Sequence, residues 1–315
     1  MARYSSPRAL AAAITAMAVV SACSTSPDMA PAAPSSEQVA TFSETQRNRI
    51  HYLTGTDQDP DQNWADFYLP AGRQAVDTIP LVVLIHGGGW RSQIGANVFD
   101  ELAMDLAGRG MAVYNVEYRR LGRGGGWPTT FRDVARALDH IIDLDKKFPQ
   151  ITVRDELVVG HSAGGQLAMW AGTRHKLEDD EVGSRPRFRP TRVVSLAGPL
   201  DMRQTAKDGN NHIIGAMGAP PSAKPERWDA VDPIKNIDPT MPVAAVHGTA
   251  DTVVRPHNST RYIAEVERRG GAGRLLLLDG EGHVSLVQKG SPAYTRVIDL
   301  IAEYSSEEQS ELTEE

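Results

Sequence analysis

The sequence predicts an α/β fold in which a mostly parallel central sheet is covered by helices on both faces. Two patterns predict this class. Uninterrupted apolar runs, such as residues 81–85, are typical of strands that are buried on both sides. These runs alternate with stretches of helical periodicity, and strand–helix–strand units of this kind build parallel sheets. A chain of 315 residues has room for one such domain of roughly 250 residues.

The predicted elements follow one another from residue 50 to residue 304. Strands are predicted at residues 50–52, 64–69, 81–85, 112–117, 156–159, 192–196, 242–246 and 274–278. Helices are predicted at residues 98–107, 131–144, 166–172, 259–269 and 294–304. The first two strands partly alternate polar and apolar side chains, which indicates an antiparallel edge. Residues 201–238 show little periodicity and are too long for an ordinary connection, so a short lid insertion is predicted there.

The amino-terminal segment predicts export. Arg3 and Arg8 precede an apolar run at residues 9–22, which is too short to span a membrane and ends at Cys23, the only cysteine. The four residues 20–23, VSAC, resemble a bacterial lipobox. We therefore predict a signal peptide at residues 1–22 and a lipid on Cys23. A flexible tether is predicted over residues 23–45, and the protein is expected on the extracytoplasmic side of a membrane. A plain secretory signal and an unmodified cysteine are the alternatives.

Charge excludes one class of partner. The net charge is −7, but residues 303–315 contain six glutamates and no lysine or arginine, so the rest of the chain carries about −1. A nearly neutral body lacks the basic face that nucleic acid binding requires. Residues 305–315 are predicted to be an acidic, disordered tail, and residues 46–304 to be the folded domain.

A nucleophile motif stands between a predicted strand and a predicted helix. Residues 160–164 read GHSAG and match the G-x-S-x-G elbow, in which the serine lies on a sharp turn at the end of a strand. The glycines are needed because side chains at these positions would collide with the neighbouring backbone. The helix that follows favours negative charge near its amino terminus. Ser162 is therefore the predicted nucleophile.

A second glycine-rich motif precedes the serine. Residues 86–90 read HGGGW and follow the strand predicted at residues 81–85. Bare glycine amides in such a turn can point their N–H groups at an oxyanion. The backbone amides of Gly88, Gly89 and Ala163 are therefore the predicted donors.

A serine hydroxyl needs a base that takes its proton and an acid that orients the base. The chain order Ser, acid, His favours His283, which lies in a glycine-rich loop after the last predicted strand. Asp251 follows the preceding strand and is the predicted acid. Asp279 and Glu281 are rivals, but they stand so close to His283 in sequence that their reach is awkward.

No cofactor or metal is predicted. The glycines of residues 122–126 do not join a strand to a helix in the dinucleotide-binding manner. No histidine pair has helical metal-ligand spacing, and one cysteine cannot build a structural zinc site.

These motifs resemble those of bacterial carboxylesterases of the α/β-hydrolase fold, whose relatives include hormone-sensitive-lipase-like esterases, feruloyl-esterase-like enzymes and kynurenine formamidases. His161 stands where hormone-sensitive-lipase-like enzymes usually have aspartate, which shifts the resemblance toward the feruloyl-esterase-like and formamidase branch. The resemblance covers residues 64–304 and rests on HGGGW at 86–90, EYR at 117–119 with the 128–133 stretch, GHSAGG at 160–165 and HGTAD at 247–251.

The resemblance implies hydrolysis of a small-molecule ester through an acyl-enzyme, without a metal. Trp90 and Trp127, together with the insertion, are expected to shape an apolar pocket for a short-chain or aromatic acyl group. An amide hydrolase with the same triad and an inactive, anchored binding protein are the alternatives. Fold analogy alone does not choose the substrate.

Overall fold

The structure, a computed structural model, describes residues 40–306. The predicted signal peptide, Cys23, most of the tether and most of the acidic tail lie outside the described residues. The described strands are β1 (Ala40–Phe42), β2 (Gln46–His51), β3 (Trp64–Leu69), β4 (Gly72–Gln74), β5 (Ile79–Ile85), β6 (Ala112–Val116), β7 (Ile151–His161), β8 (Arg192–Leu196), β9 (Val243–Gly248) and β10 (Gly273–Leu278). The described α-helices are α1 (Asp100–Gly108), α2 (Thr129–Asp139), α3 (Ile141–Lys147), α4 (Ala163–Thr173), α5 (Met202–Lys207), α6 (Asn211–Met217), α7 (Pro225–Val231), α8 (His257–Arg268) and α9 (Pro292–Ser306).

Eight strands form one sheet in the order β10-β9-β8-β7-β5-β6-β3-β2. The strands from β10 to β6 are parallel, and β3 and β2 add an antiparallel edge. This arrangement confirms the predicted α/β-hydrolase fold class and the predicted antiparallel edge. The strand order reverses between β5 and β7, and such a switch point opens a crevice at the carboxyl ends of the strands.

Helices cover both faces of the sheet, and strand β5 shows how the faces are separated. Leu81, Val83 and Ile85 point to a core shared with α2, α4 and α8. Val82 and Leu84 point to the opposite core, which α1 and α9 cover. Because all five side chains are buried, the strand is an uninterrupted apolar run, as the sequence predicted.

Two segments differ from the sequence predictions. Strand β1 lies within the predicted tether and pairs with β4 in a two-stranded ribbon. Described strand structure therefore reaches back to Ala40, and three-residue strands are too short to show a pattern. Residues 131–144 were expected to form one helix, but α2 and α3 divide the stretch at His140.

The insertion at residues 201–238 contains the three short helices α5, α6 and α7. Its apolar side chains Met202, Ile213, Met217, Trp228 and Val231 are buried in the main core. The insertion is therefore packed into the domain along much of its length, and each helix is too short for periodicity to reveal it.

Within residues 40–306 no helix is both long enough and apolar enough to cross a membrane.

Candidate active site

The predicted residues meet at the carboxyl edge of the parallel strands. Ser162 follows β7, Asp251 follows β9, His283 follows β10, and the glycines at residues 87–89 follow β5. Neighbouring parallel strands bring the loops at their carboxyl ends together, so residues far apart in the chain become neighbours.

Ser162 occupies a strained turn. Its backbone φ is +56°, a left-handed conformation that is rare for residues other than glycine, and its N–H donates to the carbonyl of Leu196 at 2.8 Å. A Cβ on Gly164 would overlap the carbonyl oxygen of Ile85, and one on Gly160 would overlap that of Gly164. The glycines therefore let α4 start directly against β5, which points the hydroxyl out of the sheet edge.

The structure places His283 between Ser162 and Asp251. Its Nε2 lies 2.8 Å from Ser162 Oγ, and its Nδ1 lies 2.7 Å from Asp251 Oδ2. This is the geometry in which a histidine accepts the serine proton while a carboxylate fixes the tautomer.

Asp251 is buried, and four hydrogen bonds hold its carboxylate. Oδ1 accepts from the N–H groups of Val253 at 2.8 Å and Val254 at 3.0 Å. Oδ2 accepts from His283 and also lies 3.2 Å from His247 Nε2. Burial alone would raise the pKa of Asp251, but the hydrogen bonds from His247 and His283 outweigh it and hold this pKa below its ordinary value.

His247 is a residue whose role the sequence analysis did not identify. It is fully buried at the end of β9, and its Nδ1 lies 2.7 Å from the hydroxyl of Ser259. His247 stands four residues before Asp251, and a tight turn between them brings the two side chains together. This spacing could have predicted the contact between His247 and the acid.

The rival acids lie elsewhere. Asp279 Oδ1 accepts a hydrogen bond from the Thr249 hydroxyl at 3.1 Å. Glu281 contributes its backbone carbonyl to the N–H of Ala250 at 3.0 Å. Both residues therefore connect the loops after β9 and β10, and His283 Nδ1 faces Asp251.

His161 is a second histidine next to the site. Its ring is stacked at a tilt on His283, with centroids 4.8 Å apart, and its Nε2–H donates to the backbone carbonyl of His283 at 2.9 Å. Burial, and then the charge of His283, lower the pKa of His161 to about 3. The ring is therefore neutral over the ordinary pH range and ties the loop of His283 to the nucleophile turn.

The loop at residues 86–96, here called the glycine loop, borders the serine. Gly88, Gly89 and Trp90 all have positive φ angles, of +101°, +61° and +58°. Within residues 40–306 the amides of Gly88, Gly89 and Ala163 donate no hydrogen bond, and all three residues line the cavity that contains Ser162. Free N–H groups of this kind suit an oxyanion, and the role of these three amides as its donors stays a prediction.

Glu117 holds both ends of the glycine loop. Its buried carboxylate accepts hydrogen bonds from His86 Nε2 at 3.0 Å and from the Ala96 amide at 3.0 Å. Arg120 lies 3.3 Å from the same carboxylate and donates to the carbonyl of Ile94 at 2.7 Å. Glu117 belongs to the EYR stretch at residues 117–119, but that resemblance did not predict its contacts with the glycine loop.

The cavity above Ser162 has a volume of about 480 Å³ and is mostly apolar. Trp90 lines it, as predicted, and so do Asn210 and His212 of the insertion. The prediction for Trp127 was wrong, because this side chain does not line the cavity. It packs against Phe131, with ring centroids 5.4 Å apart, and under the guanidinium of Arg227.

In the part of the chain that the structure describes, no group of three or more histidine, cysteine, aspartate or glutamate side chains could hold a metal ion.

The fold and the arrangement of Ser162, His283 and Asp251 define an α/β-hydrolase with a Ser–His–Asp site. The BD-FAE family model matches residues 65–265, which is more than half of the chain. The chain therefore belongs to the BD-FAE family of α/β-hydrolase-like esterases. No curated protein matches it.

Solved esterase structures share the fold at low identity. A truncated carbohydrate esterase from gut microbiota superposes with a TM-score of 0.69 at 20% identity, covering 85% of this chain and 98% of that one. The butyrate-bound esterase Est2 of Thermogutta terrifontis gives 0.66 at 21% identity, covering 82% and 92%. Esterase B from Lactobacillus rhamnosis gives 0.69 at 19% identity, covering 87% and 91%.

We expect Asp251→Asn to slow the reaction of Ser162 with a fluorophosphonate probe by about 10³–10⁴-fold, because the amide cannot fix the required tautomer of His283. Labelling rates, followed by gel fluorescence, measure this. Asp279→Asn removes a nearby carboxylate that bonds Thr249, and should label like the wild type. Wild-type labelling of Asp251→Asn would contradict the assignment of the acid.

The lowered pKa of His161 predicts a pH dependence of stability. Its pKa is about 3 in the folded chain against about 6.5 unfolded, so the unfolded state binds more protons as pH falls below 6.5. Between pH 7 and pH 4.5 this group should remove about 2–3 kcal/mol from the free energy of unfolding.

Urea unfolding at these pH values measures the effect. His161→Gln, which keeps an N–H donor but does not titrate, should lose this part of the pH dependence. His51→Gln changes an exposed histidine on β2 and should keep it. An unchanged pH dependence in His161→Gln would contradict the prediction.

Proposed function

We propose that the protein hydrolyses carboxylic esters of short-chain or aromatic acids through an acyl-enzyme on Ser162. The observation that carries this proposal is the 2.8 Å contact between Ser162 Oγ and His283 Nε2, with Asp251 behind the histidine and free amides beside the serine. Membership in an esterase family supports the reaction class.

In the first half-reaction Ser162 Oγ attacks the acyl carbon while its proton passes to His283 Nε2. The carbonyl oxygen becomes an oxyanion that accepts hydrogen bonds from the amides of Gly88, Gly89 and Ala163. Preorganised donors of this kind are worth about 10²–10³ in turnover each. The bond to the alcohol oxygen then breaks, and His283 returns the proton to the departing alcohol.

In the second half-reaction water attacks the acyl-enzyme and gives its proton to His283. The bond between the acyl carbon and Ser162 Oγ breaks, the serine recovers a proton from the histidine, and the acid leaves. Asp251 stays ionised throughout and stabilises the imidazolium that forms twice in the cycle.

The volume and the lining of the cavity support the proposal of a small acyl group. At about 480 Å³ it lies in the range of small-molecule sites, and its wall contains the aliphatic side chains Ile94, Val98, Val253 and Val284. These four side chains are also exposed, so the cavity offers apolar surface to a ligand. The bound butyrate of the Thermogutta terrifontis esterase supports the same size class.

Hydrolysis of p-nitrophenyl esters with acyl chains of two to twelve carbons tests the proposal. Ser162→Ala should lose turnover by a factor of about 10⁴ or more, because removing the nucleophile abolishes the acyl-enzyme route. Ser92→Ala removes a hydroxyl from the glycine loop and should retain activity. The rate should be highest for short chains.

Full activity of Ser162→Ala would contradict the proposal. If the folded wild-type protein cleaves no ester but cleaves the matched anilides, the bond is an amide. If it cleaves neither and Ser162 fails to react with a fluorophosphonate, a binding role replaces catalysis.

We also propose that the protein is an exported lipoprotein anchored through Cys23. Support comes from the charged and apolar segments before the cysteine and from the lipobox-like VSAC at residues 20–23. The residues between Cys23 and β1 supply the tether.

Cys23→Ala should move the protein from the membrane fraction to the soluble fraction or leave it unprocessed, because no thiol remains for the lipid. Ultracentrifugation and immunoblotting of expressing bacteria measure this. Ser26→Ala, three residues beyond the lipobox, should remain in the membrane fraction. A processed Cys23→Ala protein that still sediments with membranes would contradict the anchor.

A further inference from the structure

Arg91 is a cation without a partner at the wall of the Ser162 cavity. It follows Trp90 in the glycine loop, and its side chain is exposed. Within residues 40–306 its guanidinium makes no ion pair and no side-chain hydrogen bond. Two other arginines nearby do form ion pairs: Arg119 pairs with Asp133 at 2.7 Å, and Arg120 pairs with Glu117 at 3.3 Å.

The backbone at Arg91 is held on both sides. The Arg91 amide donates to the carbonyl of Gly88 at 3.1 Å, and the amide of Leu121 donates to the carbonyl of Trp90 at 2.6 Å. Arg120 donates to the carbonyls of Ser92 and Ile94. The loop is therefore fixed without the guanidinium of Arg91, and this side chain has no structural task in it.

The cavity contains nothing to neutralise Arg91. Among the described residues no aspartate, glutamate or lysine side chain lines the cavity, and Arg91 is its only arginine. Asp251 lies behind His283, and its carboxylate already accepts four hydrogen bonds. An unpaired cation beside apolar walls creates a positive potential that favours an anionic ligand.

We propose that Arg91 is a specificity-determining residue and that the natural substrate is an ester carrying a carboxylate beyond its apolar part. This inference rests on the proposed ester hydrolysis at Ser162. A guanidinium binds a carboxylate through two parallel N–H···O bonds, which orients the substrate as well as attracting it. The carboxylate takes no part in the bond changes, so the two half-reactions stay as described.

Two pairs of substrates separate the positions that the carboxylate can occupy. On the acyl side, mono-p-nitrophenyl adipate, which has a free carboxylate, is compared with methyl p-nitrophenyl adipate, in which that carboxylate is methylated. Release of p-nitrophenol is followed for both. On the alcohol side, 4-butyryloxybenzoate is compared with methyl 4-butyryloxybenzoate. Within each pair the quantity measured is the ratio of kcat/KM for the charged substrate to that for the neutral one.

For at least one pair, Arg91→Gln should lower this ratio about tenfold, mainly through KM of the charged substrate, because it loses a charge-assisted hydrogen bond. The kcat/KM of the neutral substrates should change by less than about twofold, which also shows that the variant is folded. Arg91→Lys keeps the charge and should keep most of the ratio.

Two controls exclude a general effect of charge. Arg132→Gln removes one positive charge from an exposed position on α2, outside the cavity, and should leave the ratio unchanged. Raising the salt concentration to about 0.5 M should lower the wild-type ratio toward that of Arg91→Gln, because salt screens exposed charges.

An unchanged ratio in both pairs would overturn the inference, whether Arg91→Gln keeps the wild-type kcat/KM or lowers it equally for charged and neutral substrates. Both outcomes leave the proposed function intact, since the neutral esters are still cleaved. Failure of the full-length wild-type protein to cleave any of the four esters would instead count against ester hydrolysis itself.

Discussion

The close packing of helix α4 against strand β5 is the constraint on which the rest of the site depends. Gly164 brings the start of the helix onto the carbonyl of Ile85, and any side chain there would push the two elements apart. This contact coincides with the positive φ angle of Ser162. It also brings Gly87 against the Cβ of Ser162, so that the nucleophile and the glycine loop are positioned by one packing contact.

Two buried carboxylates hold the loops around that contact. Asp251 holds the loop that carries His283, and Glu117 holds the glycine loop that carries the free amides of Gly88 and Gly89. In both cases burial would raise the pKa, and hydrogen bonds from histidine and backbone N–H groups, with Arg120 at Glu117, reverse the effect. A buried charge satisfied in this way is costly to remove, because each of its partners would be left without an acceptor. Hydrogen bonds to these two carboxylates therefore hold loops that contain many glycines.

The sequence predicted most of the fold and the meeting of the three site residues, because strand order and loop position determine which side chains lie at the carboxyl edge. Short elements escaped prediction, since β1, β4 and the helices of the insertion are too short to show a period. Trp127 was misplaced because proximity to the site in sequence says nothing about the direction of a side chain. The contacts of His161 and Glu117 depend on tertiary geometry, and their residue types alone did not reveal them.

Several features at the cavity reduce the stability of the empty site. Ser162 and Trp90 have positive φ angles, the amide of Ala163 has no acceptor within the described residues, and the aliphatic side chain of Val253 is exposed. Each of these costs free energy in the empty site, and Arg91 adds a charge without a counterion. A ligand that supplied an oxyanion, an apolar group and a negative charge would satisfy the free amide, the exposed aliphatic side chain and the cation together. Under the proposed ester hydrolysis, these groups constrain the choice of substrate more than the fold does, because the fold positions the reacting atoms and these groups would contact the rest of the substrate.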